Sequence, residues 1–536
     1  MSRVELEDGA SFDFIVVGAG SAGCAVAARL AEQAGVSVLL LEAGGSARSW
    51  KFRVPGAQSL VSDWVPYAWL LETEPDPSRN GRVETWRRGR MLGGSSAING
   101  LIYAIGLPRD YERWVSLGAT GWSWAEVEPY FRRAERCPGL PGRGQSGPTH
   151  VEIFRSPHAL THDLLSAFAA AGVSLRDDVN RITGEGIGIA QTNQRRGLRQ
   201  DSATAYLHLP PRRGALRVVT GATVERICID SGEARGVMLR RGGQTLRVHA
   251  RREVVLSAGA FGSPQILMLS GIGPGEHLRH MGIPVQVDLP GVGANLHDHP
   301  ELYIEYEVRE RTYSSALRWH RMLANALEFA LTRRGQATSC ATHVLGYARS
   351  QPAEPEPDLL LFGGPWGYLE DVLAFSGEAN VYSLSPSVCH PRSRGRVVLR
   401  SAEPAAPPCI TPNLLGDAED VARLVRGVRL LDHVANAEPF RRHVLRRRSP
   451  TCDPDDEIAL EAFVRETAGI CYHACGTCRM GSDGAAVVDP QLRVRGVGRL
   501  RVADASVIPL ITSGNLHAPT LMIGERAADF LRAQAS

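Results

Sequence analysis

Lysine is almost absent from this sequence: Lys51 is the only one, so nearly all of the 60 basic side chains are arginine. The 57 carboxylate side chains almost balance them, and the formal net charge is +3. Proteins that bind nucleic acid or anionic membranes through a basic surface carry a larger excess of positive charge. We therefore expect no nucleic acid as a partner.

The sequence also lacks long apolar runs. Residues 14–17 are apolar, but this run is far too short to cross a bilayer. The first residues include Glu5, Glu7 and Asp8 and lack the basic start of a secretory signal. These features predict no transmembrane segment and a cytoplasmic location.

Cysteine is sparse, with 10 residues in a chain of 536. Scaffolds held by disulfides are short and rich in cysteine, so free thiols are expected here. Cys475 and Cys478 form a CxxC pair, but zinc needs four ligands and no second pair stands at a suitable spacing. No metal site is predicted. The length suits two domains, each with a sizeable core.

A glycine-rich motif, GAGSAG at residues 18–23, follows a short apolar run and precedes a helical pattern. Gly18 makes the tight turn, Gly20 lets the backbone approach a pyrophosphate, and Gly23 lets helix and strand pack closely. The helix N-terminus offers free N–H groups to the phosphates. Glu42, at the end of the next apolar run, can bind ribose hydroxyls. This βαβ motif predicts a dinucleotide site without distinguishing NAD from FAD.

A second turn of small residues lies at residues 89–103, GRMLGGSSAINGLIY. Gly93, Gly94 and Ser96 have little side-chain bulk, so backbone N–H groups there can reach the polar edges of a ring. Asn99 can donate and accept hydrogen bonds beside it. Two such turns in one chain indicate one large, flat cofactor with a phosphate end, which is typical of a flavin dinucleotide.

Residues 89–103 resemble the first signature of the glucose–methanol–choline (GMC) oxidoreductases, which bind FAD. Residues 259–274, GAFGSPQILMLSGIGP, are similar to their second signature. The likeness extends through residues 291–299, GVGANLHDH, and residues 502–509, VADASVIP. These motifs stand in the family's order, and the match is weak only at residues 301–453, where the family has its substrate-binding domain.

The resemblance implies an α/β fold combined with an α+β fold. A discontinuous Rossmann-type FAD-binding domain is expected from residues 1–155, 215–300 and 475–536. Residues 156–214 and 301–474 are expected to form a substrate domain built on an antiparallel sheet with helices. Residues 51–80, rich in Trp, Pro and Tyr, are expected to form a loop over the cofactor site.

The resemblance also implies a set of FAD contacts. On the adenosine and pyrophosphate side they are Gly18, Gly20, Ser21, Ala22, Gly23, Glu42, Ala43 and Val224. Along the flavin they are Leu92, Asn99, Gly100, Leu101 and Ile102, and Trp69 belongs to the loop over the cofactor. Asp504 and Ala505 are implied on the ribityl–pyrophosphate side. The remaining contacts are Arg90, Gly93, Gly94, Ser96, Ala258, Gly259, Tyr472, Ala518, Pro519 and Thr520.

Some members of the family carry a histidine just before the asparagine of the first signature and link it to FAD. This sequence has Ile98 at that position. The resemblance therefore predicts FAD that is bound non-covalently.

Oxidation of an alcohol by hydride transfer needs a base for the hydroxyl proton, and neutral histidine is an available base near pH 7. The resemblance places the segments of His473 and His517 before the flavin. It implies His473 as the general base and His517 as the second hydrogen-bonding group on the substrate oxygen. Many members have asparagine at that second position, so a His–His variant is expected here. We interpret His297 and His299 as structural or peripheral.

The predicted function is oxidation of a small-molecule alcohol, expected to be primary, to the aldehyde, with the hydride passing to flavin N5. The electron acceptor is O2 or another oxidant. Two alternatives on the same fold stay open, a flavin-containing lyase that cleaves cyanohydrins and a light-driven decarboxylase. Trp64, Tyr67 and Trp69 favour an apolar or aromatic alcohol. The sequence determines neither the particular alcohol nor the oligomeric state.

Overall fold

The computed structural model describes residues 6–46, 49–61, 64–209, 215–313, 319–339, 342–367 and 379–533. Two large sheets organise this part of the chain, and each has its own buried apolar core.

The first sheet is parallel at its centre. Ser11–Val17 pairs in parallel with Val38–Glu42 on one side and with Gln244–Leu256 on the other. Leu216–Thr220 pairs in parallel with Val38–Glu42, and Leu500–Val502 pairs in parallel with Gln244–Leu256. The two central strands are buried from Asp13 to Val17 and from Val38 to Glu42, and most of the buried residues are apolar, as expected for a sheet that is covered on both faces.

An antiparallel meander extends this sheet through Ala222–Asp230, Glu233–Arg241 and Gln244–Leu256. The sequence pattern predicts two strands at residues 244–250 and 252–256, but they form one continuous strand. The predicted meander strand at residues 216–219 instead joins the parallel part of the sheet.

Helices cover both sheets and the space between them. Most of their buried residues are apolar, as packing against a sheet requires. Their bounds are Ser21–Leu30, Trp50–Arg53, Pro108–Ser116, Trp124–Ala134, Ala159–Ala170, Ser202–Tyr206, Gly259–Leu269, Gly275–His280, Trp319–Thr332, Ala418–Ala435, Glu457–Thr467 and His517–Ala533.

Two helices begin earlier than the sequence pattern predicts. The closing helix begins at His517 rather than at Thr520. The sequence pattern places the start of the other helix at Pro264, but this helix begins at Gly259, so Pro264 lies in its interior. Proline cannot donate to the carbonyl one turn before it, and the Thr477 hydroxyl donates to that carbonyl of Ala260 instead, at 2.6 Å. This replacement hydrogen bond explains why the helix tolerates the proline.

The second sheet is antiparallel, as expected. In spatial order its strands are Val444–Ser449, Ile304–Val308, Val381–Val388, Leu359–Gly364, Val344–Ala348 and Gly186–Ile189. Ala418–Ala435 packs on it with Leu424, Val428 and Leu431 buried. The short strand Pro300–Glu301 pairs with Val381–Val388 and so joins the motif at residues 291–299 to this sheet.

The segment predicted as a loop over the cofactor site is partly regular. Ala68–Glu72 pairs antiparallel with Thr85–Gly89, and this hairpin leads directly into the second glycine turn. Residues 62–63 of the segment lie outside the described residues. Because the hairpin ends at the glycine turn, it places Trp69 and Arg90 next to each other.

Within the described ranges, no helix is long and apolar enough to cross a membrane. The same ranges contain no group of three His, Cys, Asp or Glu side chains placed to hold a metal ion. Cys475 and Cys478 are free thiols in the core. The domain boundaries and the cytoplasmic location given above stay predictions.

Candidate active site

A cavity of about 960 Å³ is lined by residues of both sheets. Gly18, Glu42 and Val224 line it from the first sheet, and Glu301 and Phe362 line it from the second. The segments around His473 and Asn515 close it between these two sides. One continuous space therefore joins the dinucleotide motif to the predicted catalytic loop.

The first glycine turn has the shape of a phosphate cradle. A Cβ on Gly18 would lie 2.4 Å from the Ser257 carbonyl oxygen, and a Cβ on Gly23 would overlap the Gly18 carbonyl. A Cβ on Gly20 would meet nothing within 4 Å, so its backbone faces open space. No side chain caps the helix that begins at Ser21, which leaves its first N–H groups available to an anion.

Glu42, which the sequence predicts to bind ribose hydroxyls, ends the strand Val38–Glu42 and lines the cavity. Its two carboxylate oxygens accept the backbone N–H groups of Ala19 at 3.0 Å and Gly44 at 2.8 Å. Burial raises the pKa of Glu42 to about 7. Each oxygen retains a further lone pair that can accept a hydrogen bond from a hydroxyl group.

The two glycine turns pack directly against each other. Gly93 and Gly94 have φ angles of 92° and 53°, which favour glycine. A Cβ on Gly94 would lie 2.7 Å from the Cα atom of Gly20. Arg90 stacks 4.4 Å above the Trp69 ring, and its Nε atom is buried with no hydrogen-bond partner within the described structure. This unpaired donor fits a polar ligand such as FAD.

His473 is held through the backbone on both sides. Its N–H donates to Asp298 Oδ1 at 2.8 Å, and the preceding carbonyl of Tyr472 accepts from Arg88 at 2.8 Å. Tyr472 has a φ of 62°, an unusual conformation for a tyrosine that turns the chain at this point. Burial lowers the pKa of His473 well below its ordinary value, so the ring is neutral near pH 7.

The ring of His473 contacts the side chains of Asn515 and His299, and its Nε2 atom also lies 4.0 Å from Cys471 Sγ. Its Nε2 atom lies 3.0 Å from Asn515 Nδ2, and its Nδ1 atom lies 2.9 Å from His299 Nδ1. Asn515 Oδ1 is buried and has no hydrogen-bond partner among the residues described. A free acceptor beside a neutral imidazole is an arrangement suited to a small polar group of a ligand.

His517 lines the same cavity but is not hydrogen-bonded to His473. Its Nδ1 atom lies 2.9 Å from the Ser21 hydroxyl, at the start of the first helix. Burial, followed by the charge of Arg199, lowers the pKa of His517 to about 4. The two predicted catalytic histidines therefore face different neighbours, and Asn515 contacts His473 instead.

The sequence analysis does not name Asn515 and interprets His299 as structural or peripheral, whereas the structure places both side chains against His473. Asn515 and His517 stand in one segment, and the motif gives no indication of which side chain turns towards His473. The signal for His299 was the motif at residues 291–299. The motif does not show that His299 contacts His473.

Most predicted FAD contacts line the cavity. They are Gly18, Gly20, Ser21, Ala22, Glu42, Ala43, Trp69, Arg90, Gly94, Ser96, Asn99, Gly100, Leu101, Ile102, Val224, Ala258, Gly259, Tyr472, Asp504, Ala505 and Thr520. The other predicted contacts, Gly23, Leu92, Gly93, Ala518 and Pro519, are not among the residues that line it. Asn99 is oriented by Arg199, which donates to its Oδ1 atom at 2.8 Å.

The chain belongs to the GMC oxidoreductase family. The N-terminal family model, described as GMC oxidoreductase, matches residues 12–301, and the C-terminal model matches residues 391–524. The family and the fold expected from the sequence motifs are thus confirmed. Its members are FAD-dependent oxidoreductases that act on alcohol-type substrates, and this chain is an enzyme of that class.

Individual relatives match over nearly the whole chain. An oxygen-dependent choline dehydrogenase of Sinorhizobium medicae (strain WSM419) is 38% identical over 97% of this chain and 95% of its own length. An uncharacterised GMC-type oxidoreductase of Mycobacterium tuberculosis (strain ATCC 25618 / H37Rv) is 40% identical over 97% of this chain and 99% of its own length.

Solved structures agree with the fold. A formate oxidase variant from Aspergillus oryzae RIB40, studied for its FAD modification, has a TM-score of 0.91 at 27% identity, with 99% of both chains covered. Pyridoxine 4-oxidase from Mesorbium loti has a TM-score of 0.86 at 28% identity, covering 97% of this chain and 98% of that chain.

Proposed function

We propose that this enzyme oxidises a primary alcohol to the aldehyde, with His473 as the base and Asn515 as the second group on the substrate oxygen. The observation that carries the proposal is the 3.0 Å contact between these side chains in the cavity shared with both glycine turns. The glycine turns, Glu42 and Asn99 would hold FAD. Bound FAD supplies the acceptor for the hydride that leaves the alcohol carbon.

The proton step follows from the state of His473. Because burial keeps its imidazole neutral near pH 7, one ring nitrogen has a free lone pair. A substrate hydroxyl near Nε2 can donate its proton there while its oxygen accepts an N–H of Asn515. The O–H bond breaks as the new N–H bond forms, and the oxygen keeps the electron pair that becomes part of the carbonyl. Asn515 stabilises the charge that develops on that oxygen.

Asn515 takes the role that the sequence motifs suggested for His517. The contact of His517 with Ser21 supports a role at the start of the first helix, close to the phosphate cradle. We therefore assign His517 to the cofactor side of the cavity.

Glu301 supports a cationic alcohol as substrate. Its carboxyl group lines the cavity that contains His473, is 9% exposed, and accepts a hydrogen bond from the Tyr303 hydroxyl at 2.8 Å. Tyr303, Phe362 and Tyr472 line the same cavity and offer aromatic surface to an ammonium group. A buried carboxylate is stabilised by a cationic partner. Choline, on which a relative acts by its name, has this chemistry.

Glu301→Gln is expected to raise KM for choline by about 10²-fold with little change in kcat, because it removes a buried charge opposite the ammonium group. Burial raises the pKa of Glu301 to about 7, so its carboxyl is neutral in acid and charged above that pH. KM of the wild type for choline should therefore fall as the pH rises through about 7, and the variant should lose this dependence. Steady-state kinetics across pH measure both effects.

Benzyl alcohol is the matched control because it carries no charge. Its KM should be the same in the wild type and in Glu301→Gln. An equal rise in KM for both alcohols would mean that the substitution only disturbs the shape of the cavity.

The oxidation itself is tested by mixing the FAD-loaded enzyme anaerobically, in the dark, with choline, pyridoxine and benzyl alcohol. At least one alcohol should bleach the flavin absorbance. If none does, the lyase or the light-driven decarboxylase becomes the better proposal. Peroxide formation, compared with reduction of an artificial acceptor, then distinguishes O2 from another oxidant.

Non-covalent binding of FAD is a further expectation. Ile98 lines the cavity beside Asn99 and has no nucleophilic atom with which to form a bond to the flavin. Acid precipitation should therefore release all of the yellow colour into the supernatant. Flavin that remains with the protein pellet would show a covalent link formed elsewhere.

A further inference from the structure

The hydrogen of the His299 ring is located by its two carbonyl partners. Nε2 of His299 lies 3.1 Å from the Cys389 carbonyl oxygen and 2.9 Å from the Thr512 carbonyl oxygen. Carbonyl oxygens only accept hydrogen bonds, so Nε2 carries the hydrogen. The ring is fully buried, and burial lowers the pKa of His299 to about 4, so it is neutral near pH 7. A neutral imidazole with its hydrogen on Nε2 has a bare Nδ1 atom, which can only accept.

The state of His299 determines the state of His473. The Nδ1 atoms of the two rings are 2.9 Å apart, and a contact this short between nitrogens requires one hydrogen between them. His299 has none to give at Nδ1, so His473 carries the hydrogen on its own Nδ1 atom. Neutral His473 then has a bare Nε2 atom. The amide group of Asn515, 3.0 Å away, can donate to it.

We propose that His299 is a positioning residue that accepts the Nδ1–H of His473 and so keeps the Nε2 atom of the base without a hydrogen, able to accept the substrate proton. This inference rests on the proposed role of His473. His299 acts only through the His473 ring. Once Nε2 has taken the substrate proton, the Nδ1–H still donates to His299, which stabilises the positive ring.

The two carbonyls that orient His299 are themselves held in place by Asp110. Ser513, directly after Thr512, donates its backbone N–H and its hydroxyl to the Asp110 carboxylate, each at 2.7 Å. His390, directly after Cys389, contacts the same carboxylate at 2.8 Å. One buried carboxylate thus fixes both loops whose carbonyls locate the hydrogen of His299.

Asp298 fixes the backbones of the two histidines relative to each other. Its Oδ1 atom accepts the N–H of His299 at 2.7 Å and the N–H of His473 at 2.8 Å. Trp86 donates to the other carboxylate oxygen at 3.1 Å. The ring-to-ring contact is therefore supported by backbone contacts, and a change at His299 should act on the tautomer of His473 more than on its position.

Two substitutions separate the positioning role from a structural one. In His299→Asn the amide group occupies the place of Nδ1 and can still accept from His473. In His299→Gln it occupies the place of Nε2 and keeps only the contact with the two carbonyls. Flavin reduction by choline should slow by about 10²-fold in His299→Gln and by less than about 10-fold in His299→Asn. If flavin reduction is faster in His299→Gln than in His299→Asn, the role of His299 is to hold the loops of Cys389 and Thr512 in place, and the proposal is overturned.

A second measurement needs no turnover. In FAD-loaded enzyme with ¹⁵N-labelled histidine, the imidazole nitrogens of His473 are assigned by the signals lost in His473→Gln. The wild type and His299→Asn should show a protonated Nδ1 and a bare Nε2, whereas His299→Gln should also populate the opposite tautomer. A wild-type His473 protonated on Nε2 would overturn the inference. Wild-type flavin reduction in His473→Ala would instead overturn the role of His473 as base.

Discussion

His473→Ala is expected to slow reduction of the bound flavin by choline by about 10²–10⁴-fold, because the variant has no base for the hydroxyl proton. FAD should remain bound, since the glycine turns and Glu42 are untouched. Stopped-flow absorbance under anaerobic conditions measures the rate, and the flavin-to-protein absorbance ratio measures the occupancy. Near-wild-type reduction in this variant would remove His473 from the reaction.

The pH dependence provides an independent check on His473. Its pKa is lowered by burial, so the ring is protonated only at pH values below the ordinary histidine pKa of about 6.5. At saturating choline, the wild-type reduction rate should therefore be level from neutral pH upward and fall in acid. His433→Ala, which changes an exposed histidine on the helix Ala418–Ala435, is the matched control and should keep both the rate and the profile.

Asn515→Ala is expected to lower the rate of flavin reduction by about 10²–10³-fold, because it removes the donor that stabilises the developing charge on the substrate oxygen. His517→Ala should change this rate by less than about 10-fold, since removing a group that contacts only the cofactor side leaves the base and its amide partner in place. Instead, His517→Ala should weaken retention of FAD, because His517 contacts Ser21 at the start of the first helix. Reduction rates and FAD dissociation constants of the two variants are compared directly.

A conservative substitution sharpens this comparison. Asn515→His restores an N–H donor at the same position and should recover part of the rate lost in Asn515→Ala. If His517→Ala instead proves as slow as Asn515→Ala with FAD fully bound, the pair of histidines implied by the sequence motifs is the correct assignment.

Much of the cofactor side was predictable because its determinants are local. The turn at Gly18, the start of the helix at Ser21 and the strand that ends at Glu42 depend on neighbouring residues and on backbone sterics. The structure also shows that the two glycine turns touch, with Gly94 against Gly20. The spacing between the two glycine turns in the sequence does not predict that contact.

The boundaries of several elements were less predictable. The helix that begins at Gly259 runs past Pro264 only because Thr477, distant in sequence, takes the carbonyl that proline leaves without a donor. The strand Ala68–Glu72 lies in a segment that the sequence predicts as a loop, because its buried and exposed positions do not alternate regularly and its partner strand lies beyond a turn. In both cases, the deciding contact lies outside the local sequence window.

The sequence by itself determined the family, the two glycine turns and the candidate base, because long motifs leave few alternatives for the backbone they form. The tertiary structure alone decided which side chains meet that base. Asn515 and His299 are separated from His473 by 42 and 174 residues, and spacing carries no information across such distances. Asn515 precedes the closing helix, whereas His517 is its first residue and faces Ser21. The direction of each side chain follows from how that helix packs, and packing is a property of the folded chain.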